Sequence, residues 1–239
     1  MTFKEKMIAE FMKNGIEFRD EQIDQLSIYY DMLIEKNKVM NLTAITDEEE
    51  VIRKHFIDSL SCSSIIDMNN ISKCIDIGTG AGFPGIPLKI FYPDTDFILV
   101  DSLGKRVKFL NDVTEALGLK GISSIHARAE DLGHDPSYRG RFDLCVSRAV
   151  AGLNVLSEYC IPFLKKDGYF IAYKSKKADE EIRQAQGSMK KIGWKVEETR
   201  EFMLTPQGES RVLIKIKKIK KTPALYPRKA GIPSRKPLT

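Results

Sequence analysis

Four glycines fall within eight residues in Gly78-Thr79-Gly80-Ala81-Gly82-Phe83-Pro84-Gly85, between an apolar run from Cys74 to Ile77 and a second apolar run from Ile86. A short strand-like run, a burst of glycines and a helix-like pattern read as strand, tight turn and helix. Gly78, Gly80 and Gly82 carry no Cβ, so the turn can take positive φ and let a ligand lie against bare backbone. Pro84 suits the first helical turn, where its missing N–H is no loss. The unit has the form of a nucleotide cradle, and the rest of the chain must be fitted around it.

The spacing separates two ligand classes. A dinucleotide turn wants G-x-G-x-x-G, the third glycine allowing close helix packing, and here that position is Phe83. The pattern is instead Asp76-x-Gly78-x-Gly80-x-Gly82, with a carboxylate at the strand end. Like-charge repulsion sets that carboxylate against a pyrophosphate, whereas a sulfonium or ammonium is attracted. The expectation is S-adenosylmethionine, against the plainer reading of a glycine turn that holds nothing.

Around this unit, helix and strand patterns alternate. Phe3, Met7, Ile8 and Phe11 recur at helical spacing, and a second helix should run from about Asp20 to Lys36. Asp47 with Glu50 three residues on can cap a third, leading into Val51, Ile52, Phe56, Ile57 and Leu60. On it His55 and Asp58 stand at i, i+3, the spacing of one mutually bonded pair. After the glycine turn come strands at Phe97–Val100, Ile122–His126, Phe142–Ser147 and Gly168–Tyr173, with helices at Val107–Leu117, Leu153–Leu164 and Asp179–Ile192. Two late runs, Trp194–Leu204 and Arg211–Ile219, have no helix between them and should pair as an antiparallel hairpin. The expected fold is α/β, a Rossmann-like seven-stranded S-adenosylmethionine-dependent methyltransferase fold with an N-terminal helical extension. The expected division is 1–70 helical extension, 71–220 methyltransferase domain and 221–239 basic tail.

Charge is unevenly placed. From Arg211 onward there are ten Lys or Arg and no acids, which leaves 28 basic against 33 acidic residues before it, a net of −5 in a chain of net +5. A basic end on an acidic body suggests a polyanionic partner, nucleic acid ahead of membrane. Five phosphate contacts from that end would give a salt slope of roughly −3.5 on single strands. The rival is a solvated, disordered tail. The opening residues lack the apolar core of a signal peptide, and no apolar run reaches 18 residues, so a cytoplasmic protein is expected. Cys62, Cys74, Cys145 and Cys160 stand apart, with neither a C-x-x-C pair nor histidines at metal spacing; they read as buried thiols, and no metal is expected.

The candidate site residues follow from strand ends. Asp101 closes the second strand, where a carboxylate can accept from both ribose hydroxyls, and Ser102 follows it. Ala129 and Glu130 come after the third strand, Ala129 small enough for an adenine ring to lie close, and a backbone N–H with the Glu130 or Asp131 side chain able to read its edge. Arg148 ends the fourth strand and is a candidate for the cofactor carboxylate or a target phosphate, with an ordinary salt bridge as the alternative. Lys174 ends the fifth strand, and Arg228 and Lys229 lie in the tail; all three are candidate substrate contacts. Around Ser147-Arg148-Ala149-Val150 there is neither the Asn/Asp-Pro-Pro-aromatic run of nucleic-acid amine methylases nor a cysteine nucleophile. An acceptor with a lone pair in the ring plane, such as guanine N7, needs neither, so positioning alone could suffice and no catalytic base is assigned.

Asn41-Leu42-Thr43-Ala44-Ile45, His55-Phe56-Ile57-Asp58-Ser59-Leu60, the run from Asp76 to Leu88, Asp101-Ser102 with Lys105-Arg106, Ser147-Arg148-Ala149-Val150 and Tyr226-Pro227-Arg228-Lys229-Ala230-Gly231 together resemble the bacterial glucose-inhibited division protein B family. The resemblance implies methyl transfer from S-adenosylmethionine to guanine N7 in the 530 loop of 16S ribosomal RNA, on naked RNA or on a small-subunit particle. It implies cofactor contacts at Gly78, Phe83, Ala129, Glu130 and Arg148; Asp76, Asp101, Ser102 and the other glycines come from strand geometry. Tyr173-Lys174-Ser175 departs from the family's expected glycine after the lysine. Two rivals stand beside this reading: a nicotinamide-dinucleotide oxidoreductase, opposed by Phe83, and an RNA-binding ribosome-assembly factor with a vestigial cofactor site.

Overall fold

The computed structural model describes residues 1–204 and 208–238. Seven strands make one sheet: β1 (Lys73–Ile77), β2 (Asp96–Asp101), β3 (Ile122–His126), β4 (Phe142–Arg148), β5 (Leu164–Lys174), β6 (Trp194–Met203) and β7 (Ser210–Lys218), in the order β3-β2-β1-β4-β5-β7-β6. The first five run parallel, and β7 is antiparallel to both β5 and β6. This is the doubly wound, hairpin-ended sheet that the alternating patterns predict. Its central strands are near-continuous apolar runs because helices cover both faces and both sides of each strand leave water.

Ahead of the sheet stand α1 (Phe3–Lys13), α2 (Asp20–Met40), α3 (Glu48–Val51) and α4 (Asp58–Leu60), the last two joined by a π-helical stretch, Ile52–Ile57. Around the sheet lie α5 (Gly85–Phe91), α6 (Gly104–Ala116), α7 (Ala129–Leu132), α8 (Leu153–Cys160), α9 (Ala178–Gln184), α10 (Gln186–Ser188) and α11 (Ile232–Arg235). Asp47 caps α3 as expected, accepting from the Glu50 N–H at 3.0 Å. Helix α2 overruns the expected end at Lys36. It stops where Asn41 turns left-handed (φ 49°) and the Asn37 amide ties the Thr43 N–H and C=O, both at 2.9 Å.

The N-terminal helices belong to the body of the fold. Leu26, Tyr29 and Leu33 of α2 share one apolar core with Phe56, Ile86, Leu99, Val146 and Ile171 on one face of the sheet. On the opposite face Ile75, Cys145, Phe170 and Ala172 pack against Leu153, Leu156, Cys160 and Trp194. All four cysteines are buried, and burial pushes the Cys62 thiol up to about 12, in keeping with the packing role.

The basic end is not the solvated, disordered tail of the rival reading, and part of its charge faces inward. Arg139 donates to four carbonyls, those of Gly133, Thr222, Pro223 and Tyr226, at 2.6–3.1 Å. Arg228 is bidentate on the buried Glu158, with closest distances of 2.7 and 2.9 Å, and Leu238 is buried. Lys218 is also internal, donating to the carbonyls of Ile161 and Leu164, and burial lowers it to about 8. Among the described residues, no helix is long and apolar enough to cross a membrane.

Candidate cofactor and substrate site

The strand order reverses between β1 and β4, which is where an open α/β sheet forms its ligand crevice. Two bonds shape that edge: Ser147 Oγ donates to the Ile77 C=O at 2.7 Å, and the Gly78 N–H donates to Val100 at 2.9 Å. The turn then climbs through Gly78, Gly80 and Gly82 at φ 71°, 64° and 109°, values that L side chains rarely adopt. Pro84 does not sit inside the first helical turn as the sequence suggested; it is the N-cap of α5 and follows a cis Phe83–Pro84 bond.

A cleft of about 340 Å³ opens at this edge, lined by the ends of four parallel strands. Gly78, Asp101, Ser102, Ala129 and Glu130 line it, which brings together residues from β1, β2 and α7 that the sequence singled out separately. A Cβ built on Gly80 would meet nothing within 4 Å, so bare backbone faces open space there. The Gly80 N–H donates to Asp101 Oδ2 at 3.0 Å, while Asp101 Oδ1 accepts from Leu103 N–H at 2.9 Å. Asp101 therefore ties the two loops and keeps acceptor capacity on the cleft wall.

Four expected contacts lie elsewhere. Asp76 is fully buried beneath the turn: its Oδ2 accepts from Thr79 Oγ1 at 2.7 Å and Gly85 N–H at 2.9 Å, and Oδ1 has no partner. Burial pushes its carboxyl up to about 7. It braces the glycine turn from behind. Gly82 faces the core, where an added Cβ would meet Ile86 at 2.5 Å and Tyr29 Oη at 2.7 Å. Phe83 is buried between Tyr29 and His55, with ring centroids at 5.2 and 4.5 Å.

Arg148 is the fourth. Its Nη1 donates to Asp58 Oδ2 at 2.7 Å and Lys54 C=O at 2.8 Å, its Nη2 to His55 Nδ1 at 3.2 Å, and the guanidinium lies 5.1 Å from the Phe83 centroid. Asp58 Oδ1 accepts from Arg211 Nε at 2.7 Å. His55 and Asp58 thus meet through Arg148 and not directly, which corrects the mutually bonded pair read from their spacing. His55 Nδ1 lies 3.2 Å from both the Arg148 guanidinium, a donor, and the Lys54 C=O, an acceptor, while Nε2 faces Thr43 Oγ1 at 2.8 Å. Burial and the Arg148 charge lower His55 to about 3, so the ring stays neutral.

Of the expected substrate contacts, Lys174 bonds the Ala151 C=O at 2.6 Å and Glu181 at 2.7 Å, and Arg228 is held by Glu158. Lys229 is exposed. The cleft also carries Arg106, Arg128, Val150 and Tyr159, to which the sequence reading gave no role. Arg106 and Val150 belonged to quoted motifs and Arg128 to the loop after the third strand; Tyr159 gave no signal, since nothing local distinguishes a residue that faces a cleft. Tyr29 is a further omission: its hydroxyl donates to the Ala81 C=O at 2.6 Å, so the N-terminal helices hold the glycine turn directly. A larger groove of about 800 Å³ lies between the α1–α2 loop and the end of β6. It shares no residue with the strand-end loops, and its Gln22, Ser61 and Ser63 side chains already bond backbone carbonyls, so volume alone does not choose the site.

Solved structures of low identity share this architecture. The Bacillus subtilis YcgJ protein superposes with a TM-score of 0.52 at 14% identity, covering 70% of this chain and all of that one. TYW2 from M. jannaschii, solved in complex with AdoMet, gives 0.54 at 17% identity, covering 69% of this chain and 76% of that one. Sequence relatives are much nearer. The ribosomal RNA small subunit methyltransferase G of Acetivibrio thermocellus is 52% identical over 94% of this chain and 92% of its own, and that of Alkaliphilus metalliredigens 49% over 94% of each. The GidB family profile, described as rRNA small subunit methyltransferase G, matches residues 22–210, and with relatives this similar along nearly its whole length the chain belongs to that family.

Proposed function

We propose that the protein transfers a methyl group from S-adenosylmethionine to N7 of a guanine in the 530 loop of 16S ribosomal RNA, acting in the cytoplasm on the RNA or a small-subunit particle. The observation that carries the proposal is the cleft at the strand-order reversal, where Gly78 and the Asp101 carboxylate share one wall and the Gly80 N–H, on backbone open to space, is tied to Asp101. That set fits the cofactor: backbone without a Cβ for close approach, a carboxylate placed for ribose hydroxyls, and the small Ala129 beside Glu130 at the far wall. When bound, S-adenosylmethionine supplies an electrophilic methyl on a positively charged sulfur.

The protein's part is placement. Asp101 and Ser102 orient the ribose side, Ala129 and Glu130 flank the base, and the Asp76-braced turn fixes the height of Gly78. No described side chain on the cleft wall is needed as a base, because guanine N7 offers a free lone pair: the N7–CH₃ bond forms as the S–CH₃ bond breaks, and no proton leaves. Positive charge would pass from sulfur to guanine with no net charge created. Arg128 at the cleft and Lys229, Arg235 and Lys236 on the tail surface are exposed cations placed to meet RNA phosphates, while Arg106 at the cleft pairs with Asp101 at 3.4 Å.

Purified protein given 16S rRNA or 30S particles and tritiated methyl donor tests the reading. Label recovered as 7-methylguanosine, lost in Gly78→Leu, is the expected result. Tight RNA binding with no label transferred under either condition would favour the assembly factor.

A further inference from the structure

The C-terminal strap reaches the cofactor cleft from outside. Gly231 N–H donates to Glu130 Oε1 at 3.0 Å, and Tyr159, which lines the cleft, shares a 2.9 Å hydrogen bond between its hydroxyl and Ser234 Oγ. Burial, with the nearby Glu130 charge, raises the Tyr159 phenol above its usual value. One turn of chain at α11 thus grips the two side chains that form the wall beyond Ala129. The strap is pinned on either side of that grip, by the Arg228–Glu158 ion pair and His134 Nε2 against the Pro227 C=O at 2.6 Å, and by the buried Leu238. None of these contacts involves an exposed cation of the tail; Lys229, Arg235 and Lys236 all face solvent.

Resting on the cofactor reading above, we propose that Tyr159 is a positioning residue of the base-binding end of the cleft, and that the C-terminal strap sets its position through Ser234 and that of Glu130 through Gly231. Two physical points carry this. An aromatic ring on the wall of a nucleoside-sized cleft offers stacking surface, and its two torsions must be fixed for that surface to be preorganised. The Ser234 contact fixes the far end of the ring, and the Gly231 contact holds Glu130, whose carboxylate has about four acceptor sites and so keeps capacity for an exocyclic amine. The tail therefore acts on the cofactor and not only on the polyanion.

The test is binding of S-adenosylhomocysteine and of 5′-methylthioadenosine, which lacks the amino-acid end, to the full-length protein by calorimetry. One hydrogen bond's net worth predicts that Tyr159→Phe and Ser234→Ala each weaken both ligands about threefold, with the double variant little worse than either, because they share one contact. Tyr159→Ala, which also removes the ring, should weaken both by about tenfold or more. A steady-state split separates positioning from general damage: KM for the methyl donor should rise while KM for RNA holds, at an unchanged melting temperature for Tyr159→Phe and Ser234→Ala. If the native protein binds both ligands and the variants bind them equally well, the strap has no part in the site. A rise in KM for RNA alone would likewise overturn the inference and give the strap to the substrate. Failure of the native protein to bind either ligand would refute the cofactor reading itself, a different outcome.

Discussion

Asp58→Asn is the substitution whose cost the structure specifies most closely. The Asp58 carboxylate is fully buried and stands between two guanidiniums, at 2.7 Å from Arg148 and 2.7 Å from Arg211, whose side chains are 10% and 20% exposed. Asparagine keeps the shape but removes the charge, and turns an amide NH₂ toward a donor. Removing one partner of a buried pair costs about 3–5 kcal/mol, because the other charge is left without compensation. At about 2–4 °C per kcal/mol for a chain of this size, the melting temperature should fall by roughly 6–20 °C. Circular dichroism melts at neutral pH measure it. D58N/R211L, which removes one stranded cation as well, should recover part of the loss. A fall of less than about 2 °C in D58N would show that the cluster is too well hydrated for buried-pair energetics and would refute the reasoning.

Acid behaviour should split into two opposing parts. Asp76 is raised from 3.8 to about 7, so the folded state holds a proton that the unfolded chain releases, and stability falls as pH rises across that interval by up to about 4 kcal/mol. His55 is lowered from 6.5 to about 3, so the unfolded chain takes up the proton first, and stability rises with pH over about the same span. Urea titrations between pH 4 and 6.5 should therefore slope downward with pH in His55→Gln, upward in Asp76→Asn, and little in the native protein; equal slopes in all three would refute both assignments. Arg228→Ala leaves Glu158 buried without its partner, and should speed tryptic cleavage at Lys229 and Arg235 while the sheet stays folded; unchanged cleavage would mean the strap is held without that pair. Gly78→Leu forces a side chain onto φ 71° with Val150 2.5 Å from its Cβ, and should weaken S-adenosylhomocysteine by more than about tenfold in calorimetry; undiminished binding would remove Gly78 from the site.

The strands and the cleft were legible because their signals are local. Phe97–Val100 announces itself by an apolar run and the hairpin by the missing helix between its two strands, and Gly78, Asp101 and Ala129-Glu130 by falling at strand ends. The remainder depended on partners far along the chain. Asp58 meets Arg148 and Arg211 across 90 and 153 residues, and Glu158 meets Arg228 across 70, so no spacing rule pairs them. His55 and Asp58 misled for the same reason: their i, i+3 spacing suggested a bond, while a cation from β4 came between them. Asp76 and Phe83 were placed by motif on the ligand side, yet the turn climbs steeply enough to leave one behind it and the other in the core. The tail misled because charge was counted before its partners were known; Arg228 and Lys218 face inward.

Mass spectrometry of nucleosides from 16S rRNA, in cells with and without the gene, tests the central claim most directly. The account predicts that one 7-methylguanosine in the 530 loop disappears without the gene, returns with the native protein and does not return with Gly78→Leu. An unchanged methylation profile would contradict it, and would leave a cofactor-shaped cleft on a protein that serves the ribosome by binding alone.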